Sequence, residues 1–140
     1  MCLALLLTAV ARAEEPVDSR QLFVADFELQ STEQFRETLR RAEQLMVKGV
    51  APQDGEARVT FVLHGPVIRN LLRENYLENK ELVDLAASLS ALDVIEIKAC
   101  QTWMGSHRVD EAQLQPFVGT VPYGAAEVER LVREEDYIYF

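Results

Sequence analysis

Cysteine is almost missing from this chain, with two residues in 140, Cys2 and Cys100. Cys2 precedes an apolar stretch, residues 3–11, that ends in Ala11-Arg12-Ala13. A small-x-small ending followed by the polar run EEPVDSR is a cleavage pattern, so residues 1–13 read as a signal peptide directing export to the periplasm. The stretch is too short to cross a bilayer as a helix, which takes about 20 apolar residues. Cleavage after Ala13 would remove Cys2 and leave Cys100 alone. One thiol forms no internal disulfide, so a disulfide-framework domain is excluded. No Cys-x-x-Cys exists, which excludes a metal site built on paired cysteines. An unpaired cysteine in an oxidising compartment points to a reactive thiol or an intermolecular bond.

Positive charge is scarce as well. Lys and Arg total 14 against 23 Asp and Glu, for a net charge of -9. No basic run stands out, which argues against nucleic acid and membrane as partners. Phosphate loops (G-x-x-x-x-G-K, G-x-G-x-x-G) and the hydrolase signatures G-x-S-x-G and H-E-x-x-H are absent, and neither a cofactor nor a metal is expected. There is no linker, repeat or low-complexity tract. With 49% hydrophobic and 26% charged residues, the composition is that of one globular domain.

What is present alternates between strand and helix. Residues 21–27 (QLFVADF) read as a strand. Ser31 and Gln34 form a candidate capping box for a helix over residues 32–48, with Phe35, Leu39, Ala42 and Met46 along one face. Gly49 is its natural stop. Residues 59–63 are nearly all apolar, the mark of a central strand covered on both faces. Pro66 suits a helix's first turn, with Val67, Ile68, Leu71 and Leu72 inward. Asn79 is placed to cap a helix that buries Leu82, Leu85, Ala86 and Leu89. Residues 94–100 form a strand, Asp110 caps a short helix, and residues 117–124 give another strand. A helix over residues 124–135 buries Val128, Leu131 and Val132, and DYIYF closes the chain as a strand. This alternation predicts an α/β fold with a parallel sheet and helices on both faces. Glu96 and Lys98 sit opposite Ile95 and Ile97 in their strand, which suggests a sheet edge or a subunit contact.

The candidate chemistry gathers at strand ends, where ligands and reactive groups collect in open α/β sheets. Cys100 closes its strand and is followed by an expected loop, and a helix N-terminus over it would favour the thiolate. A free cysteine is also a common small core residue. His64 ends the central strand. If the two strands are neighbours, the imidazole and the thiol share a rim and the thiolate becomes available; a histidine serving only the strand-to-helix turn is the plainer alternative. His107 reads as a solvated loop histidine. Trp103 and Met104 could wall the thiol, meet a partner subunit or pack in the core. Asp26 and Glu28 do not stand out among so many carboxylates.

Three segments in order resemble the DsrE/DsrF-like family, and more closely its small exported branch: FVLHGP (residues 61–66), VIEIKACQTWMG (residues 94–105) and VGTVPYGAAEVERLVREEDYIYF (residues 118–140). The likeness runs over residues 21–140. It implies a three-layer α/β/α domain with a largely parallel five-stranded sheet, and homo-oligomers, a trimer or hexamer. It also implies a sulfur carrier or transferase-like role, with sulfur held as a persulfide at the position of Cys100 and exchanged with a thiol-protein donor or acceptor. The sequence departs from the family at Gln101-Thr102-Trp103, where an Asn-containing turn is common, and at Asp136, where glycine commonly precedes the last strand. Two function classes follow. One is an exported thiol protein that binds or relays sulfur on Cys100; the other is a non-catalytic oligomeric binding module with an inert, buried cysteine.

Overall fold

The computed structural model describes residue 18, residues 20–50 and residues 55–140; the expected signal peptide, residues 1–13, lies outside them. Five strands form one sheet: β1 (Phe23–Phe27), β2 (Val59–Leu63), β3 (Ile95–Cys100), β4 (Val118–Val121) and β5 (Ile138–Tyr139), in the order β4-β3-β2-β1-β5. Every pairing is parallel. The helices are α1 (Thr32–Val47), α2 (Lys80–Ala91), α3 (Gln101–Ser106) and α4 (Gly124–Glu134). Short 3₁₀ turns fill the β2-to-α2 and α3-to-β4 connections.

The alternation of side chains along the strands divides the core between two faces. On one face, Phe23, Ala25 and Phe27 of β1 join Phe61, Leu63, Ile95, Ile97 and the buried sides of α1 and α2. Phe27 meets Phe35 edge-on at 5.2 Å between ring centres, a favoured aromatic geometry. On the other face, Val24 and Val62 pack against Val128 and Leu131 of α4 and against Tyr137. The α/β arrangement is therefore three-layered, with β2 buried at every residue.

Helix α1 starts where expected. Ser31 Oγ accepts the Gln34 N–H and Gln34 Oε1 accepts the Ser31 N–H, closing the capping box. Its buried stripe is Phe35, Leu39, Ala42 and Leu45; Met46, expected inside, is 39% exposed. Over four turns, spacings of four and three bring position 45 under the sheet rather than 46. Gly49 follows in the left-handed region at φ 74°. Asn79 stands at the N-terminus of α2 but does not cap it; its amide donates to the Asn75 carbonyl instead. Asp136, two residues before β5, has φ 56°, a region that Asp tolerates better than most side chains.

Two further expectations need correcting. The residues after Cys100 are helix α3, not a loop, and its last turn passes to His107. Strand β3 is not at an edge: it lies between β2 and β4. Its polar face is explained within the chain, because Lys98 Nζ lies 2.9 Å from Glu127 Oε1 on α4 and 3.7 Å from Glu96. Among the described residues no helix is long and apolar enough to cross a membrane.

Candidate functional site

The site begins with the register of the parallel sheet. Leu63 of β2 is level with Ala99 of β3, so His64 and Cys100 emerge side by side at the strands' carboxyl ends. Both belong to the face that α4 covers, since they continue the alternation of Val62 and Lys98.

His64 is held on the β1 side. Its N–H donates to the Phe27 carbonyl at 2.8 Å, and its Nε2 lies 2.5 Å from Asp26 Oδ1. Asp26 is level with Val62, two residues before His64 on the same face. Gly65 makes this crossing possible: a Cβ there would lie 1.7 Å from the Glu28 carbonyl oxygen. On this same β1 side a cleft of about 260 Å³ opens, lined by Asp26, Glu28, His64, Glu129, Arg133 and Tyr139 among others. Cys100 is not among its lining residues.

Cys100 is a free thiol, 2% exposed. Its Sγ accepts the backbone N–H of Gly124 at 3.3 Å. Gly124 opens α4, an 11-residue helix, so the sulfur faces one of the N–H groups that no helical carbonyl can satisfy. The helix over the thiol is thus α4, from the far side of the next strand, and not the α3 that follows Cys100 in sequence. The approach of α4 is anchored from β3 and α3. Thr102 donates to the Pro122 carbonyl through both its N–H, at 3.2 Å, and its hydroxyl, at 2.7 Å. Gln101 donates to Thr120 Oγ1 and to Glu111 Oε1. These bonds hold the Pro122-Tyr123-Gly124 turn against the end of β3.

A charge cluster completes the anchor. Glu127, three residues into α4, accepts from Lys98 and from Arg130 at 2.9 Å each, and Arg130 also pairs with Glu135. The Arg130 hydrogen bond, outweighing burial and helped by Lys98, pulls the Glu127 carboxyl down to about 2. Burial opposes charge on Lys98, yet its contacts with Glu127 and Glu96 raise it above the ordinary lysine range. Both groups are therefore ionised at neutral pH. The pair ties α4 to β3 two residues before the thiol.

The remaining residues with candidate chemistry fall elsewhere. Trp103 and Met104 pack with the core of the α1 and α2 face, so they do not wall the thiol. His107 ends α3, where its ring stacks on Trp103 at 3.9 Å between centres and its Nδ1 lies 2.8 Å from the Trp103 carbonyl. Among the described residues no group of three His, Cys, Asp or Glu is placed to hold a metal ion. Two residues that the sequence does not single out belong to the site: Asp26, set aside with Glu28 among the many carboxylates, and Gly124, read only as the start of a helix. The first could have been found from its position: it interrupts an otherwise apolar strand on the face of Val24, one turn of the pleat from the end.

No protein-family model matches the chain, and no curated protein matches it. Among solved structures, a protein of unknown function from Methanobacterium thermoautotrophicum, MTH1491, is similar in fold, with a TM-score of 0.66 over 86% of this chain and 97% of that one. At 16% sequence identity the likeness concerns the fold alone.

Proposed function

We propose that this chain is an exported, DsrE/DsrF-like thiol protein that carries sulfur as a persulfide on Cys100. The observation that supports this most is the Gly124 N–H directed at Sγ at 3.3 Å. A hydrogen bond to a charged acceptor is stronger than one to a neutral acceptor, so the N–H is placed to stabilise the charge that Sγ carries as nucleophile and as leaving group.

The chemistry is thiolate attack on sulfane sulfur. The thiol first loses its proton to water. The Cys100 thiolate then attacks a terminal sulfur of an inorganic polysulfide; the new S–S bond forms as the adjacent polysulfide S–S bond breaks, and the shortened polysulfide leaves with the electron pair. In the second half, a partner thiolate attacks the outer sulfur of the persulfide and Cys100 leaves as the thiolate. No net oxidant is needed, because the transferred sulfur keeps its oxidation level. The His64–Asp26 pair, on the neighbouring strand end, supports the same rim. With the thiol 2% exposed, this reading requires the α4 N-terminal turn to open for donor and acceptor alike.

That burial favours a second reading, the non-catalytic oligomeric module with an inert cysteine, since buried thiols in apolar surroundings are unreactive. One experiment separates the two. Intact-protein mass spectrometry of the folded protein after inorganic polysulfide should show added sulfur on the wild type and none on Cys100→Ser. A thiol that takes up sulfur or iodoacetamide only after denaturation refutes the carrier reading.

A further inference from the structure

The first residue of α4 is glycine for a reason that the backbone does not supply. Gly124 lies outside the left-handed region, the glycines with positive φ being Gly49 and Gly55 among the described residues. Alanine is the better helix former by about 1 kcal/mol in a helix interior, so local propensity argues against glycine here. The tertiary surroundings argue for it. A Cβ at position 124 would lie 2.6 Å from His64 Cβ, 2.9 Å from His64 Cγ and 3.2 Å from Cδ2. The nearest of these atoms is fixed to the backbone of the β2 end, not the free tip of a side chain. His64 in turn cannot swing aside without losing its 2.5 Å contact with Asp26.

We infer that Gly124 is a positioning residue: its missing side chain lets the His64 imidazole and the Cys100 sulfur meet α4 at the same residue, so that the packing of His64 sets the N–H contact on the thiol. His64 then acts on Cys100 through the placement of α4, with no proton transfer between imidazole and sulfur required. Asp26 belongs to the same chain of contacts, because it fixes the ring that α4 rests on. The Lys98–Glu127 pair, one turn further along α4, keeps the helix from tilting away, so a side chain at position 124 displaces the first turn locally. This inference rests on the carrier reading for its effect on reactivity, and on packing alone for its effect on stability.

The test is a cycle of Gly124→Ala and His64→Gly, the latter chosen because it removes the Cβ that the new methyl group would strike. Two quantities are read in each variant: the rate at which polysulfide adds sulfur to Cys100 at pH 7, and the melting temperature. In the His64 background, Gly124→Ala should slow loading about tenfold, the rate equivalent of one hydrogen bond to a charged acceptor, and should lower the melting temperature. In the His64→Gly background, the same change should leave the loading rate unaffected and should not lower the melting temperature. Equal effects of Gly124→Ala in both backgrounds, or no effect in either, overturn the inference. If Gly124→Ala alone does not fold, recovery of folding in the double variant supports the inference and failure to recover overturns it. A wild-type thiol inert to polysulfide refutes the carrier reading instead, and the melting temperatures then decide the packing claim on their own.

Discussion

Replacing Glu127 with alanine should expose how α4 is held over the thiol. The carboxylate is 12% exposed and is shared by Lys98, 19% exposed, and Arg130, 39% exposed. Removing one partner of a fully buried pair costs about 3–5 kcal/mol, because the other charge is left uncompensated. An exposed pair is worth about 0.2–1 kcal/mol. This cluster lies between those limits, and Lys98 retains Glu96 at 3.7 Å. The titration of the carboxyl gives a second measure. A fall from 4.5 to about 2 corresponds to about 3 kcal/mol without solvent screening. The exposure of Arg130 reduces that to about 2 kcal/mol. Glu127→Ala should therefore lower the melting temperature by about 6 °C at pH 7 for a domain of this size. The sign with pH follows from the depressed folded value. The carboxylate's contribution is complete above the unfolded value near 4.5 and is lost as the pH falls through about 2. The gap between wild type and variant should thus be full at pH 7, shrink between pH 4.5 and 2, and close below. Thermal melts by circular dichroism across that range measure it. A drop of less than about 2 °C at pH 7 would place the cluster among ordinary surface pairs, and a gap that persists unchanged at pH 2 would refute the assignment to Glu127.

Two further outcomes test the wider reading. If residues 1–13 are a signal peptide, N-terminal sequencing of protein recovered from the periplasm should begin at Glu14; a chain retained in the cytoplasm and starting at Met1 counts against export. If the chain assembles as its resemblance implies, light scattering at micromolar concentration should report a closed trimer or hexamer, and a monomer there refutes it.

Most of the element order follows from local signals in this chain, helix α3 after Cys100 excepted. Period-two and period-four patterns, the Ser31–Gln34 box and the Gly49 stop act within a few residues of themselves, so they are legible wherever they occur. The central position of β2 is legible too, because a run from Val59 to Leu63 that is apolar except at Thr60 fits a strand covered on both faces. The same signals place Cys100 and His64 at strand ends, and hence at one rim once the strands are neighbours. They cannot say which helix arrives there. The N–H on the thiol comes from Gly124, 24 residues away in sequence, delivered by a helix that crosses the sheet's far face. The partner of Lys98 is likewise 29 residues away, and without it the lysine looks like an edge residue. Asp26 is one acidic residue among 23 until the register sets it beside His64. Composition and spacing determine which elements form and which side chains end their strands; only the tertiary structure decides which backbone group meets the sulfur, because that contact depends on the relative placement of β2, β3 and α4, and no local pattern encodes it.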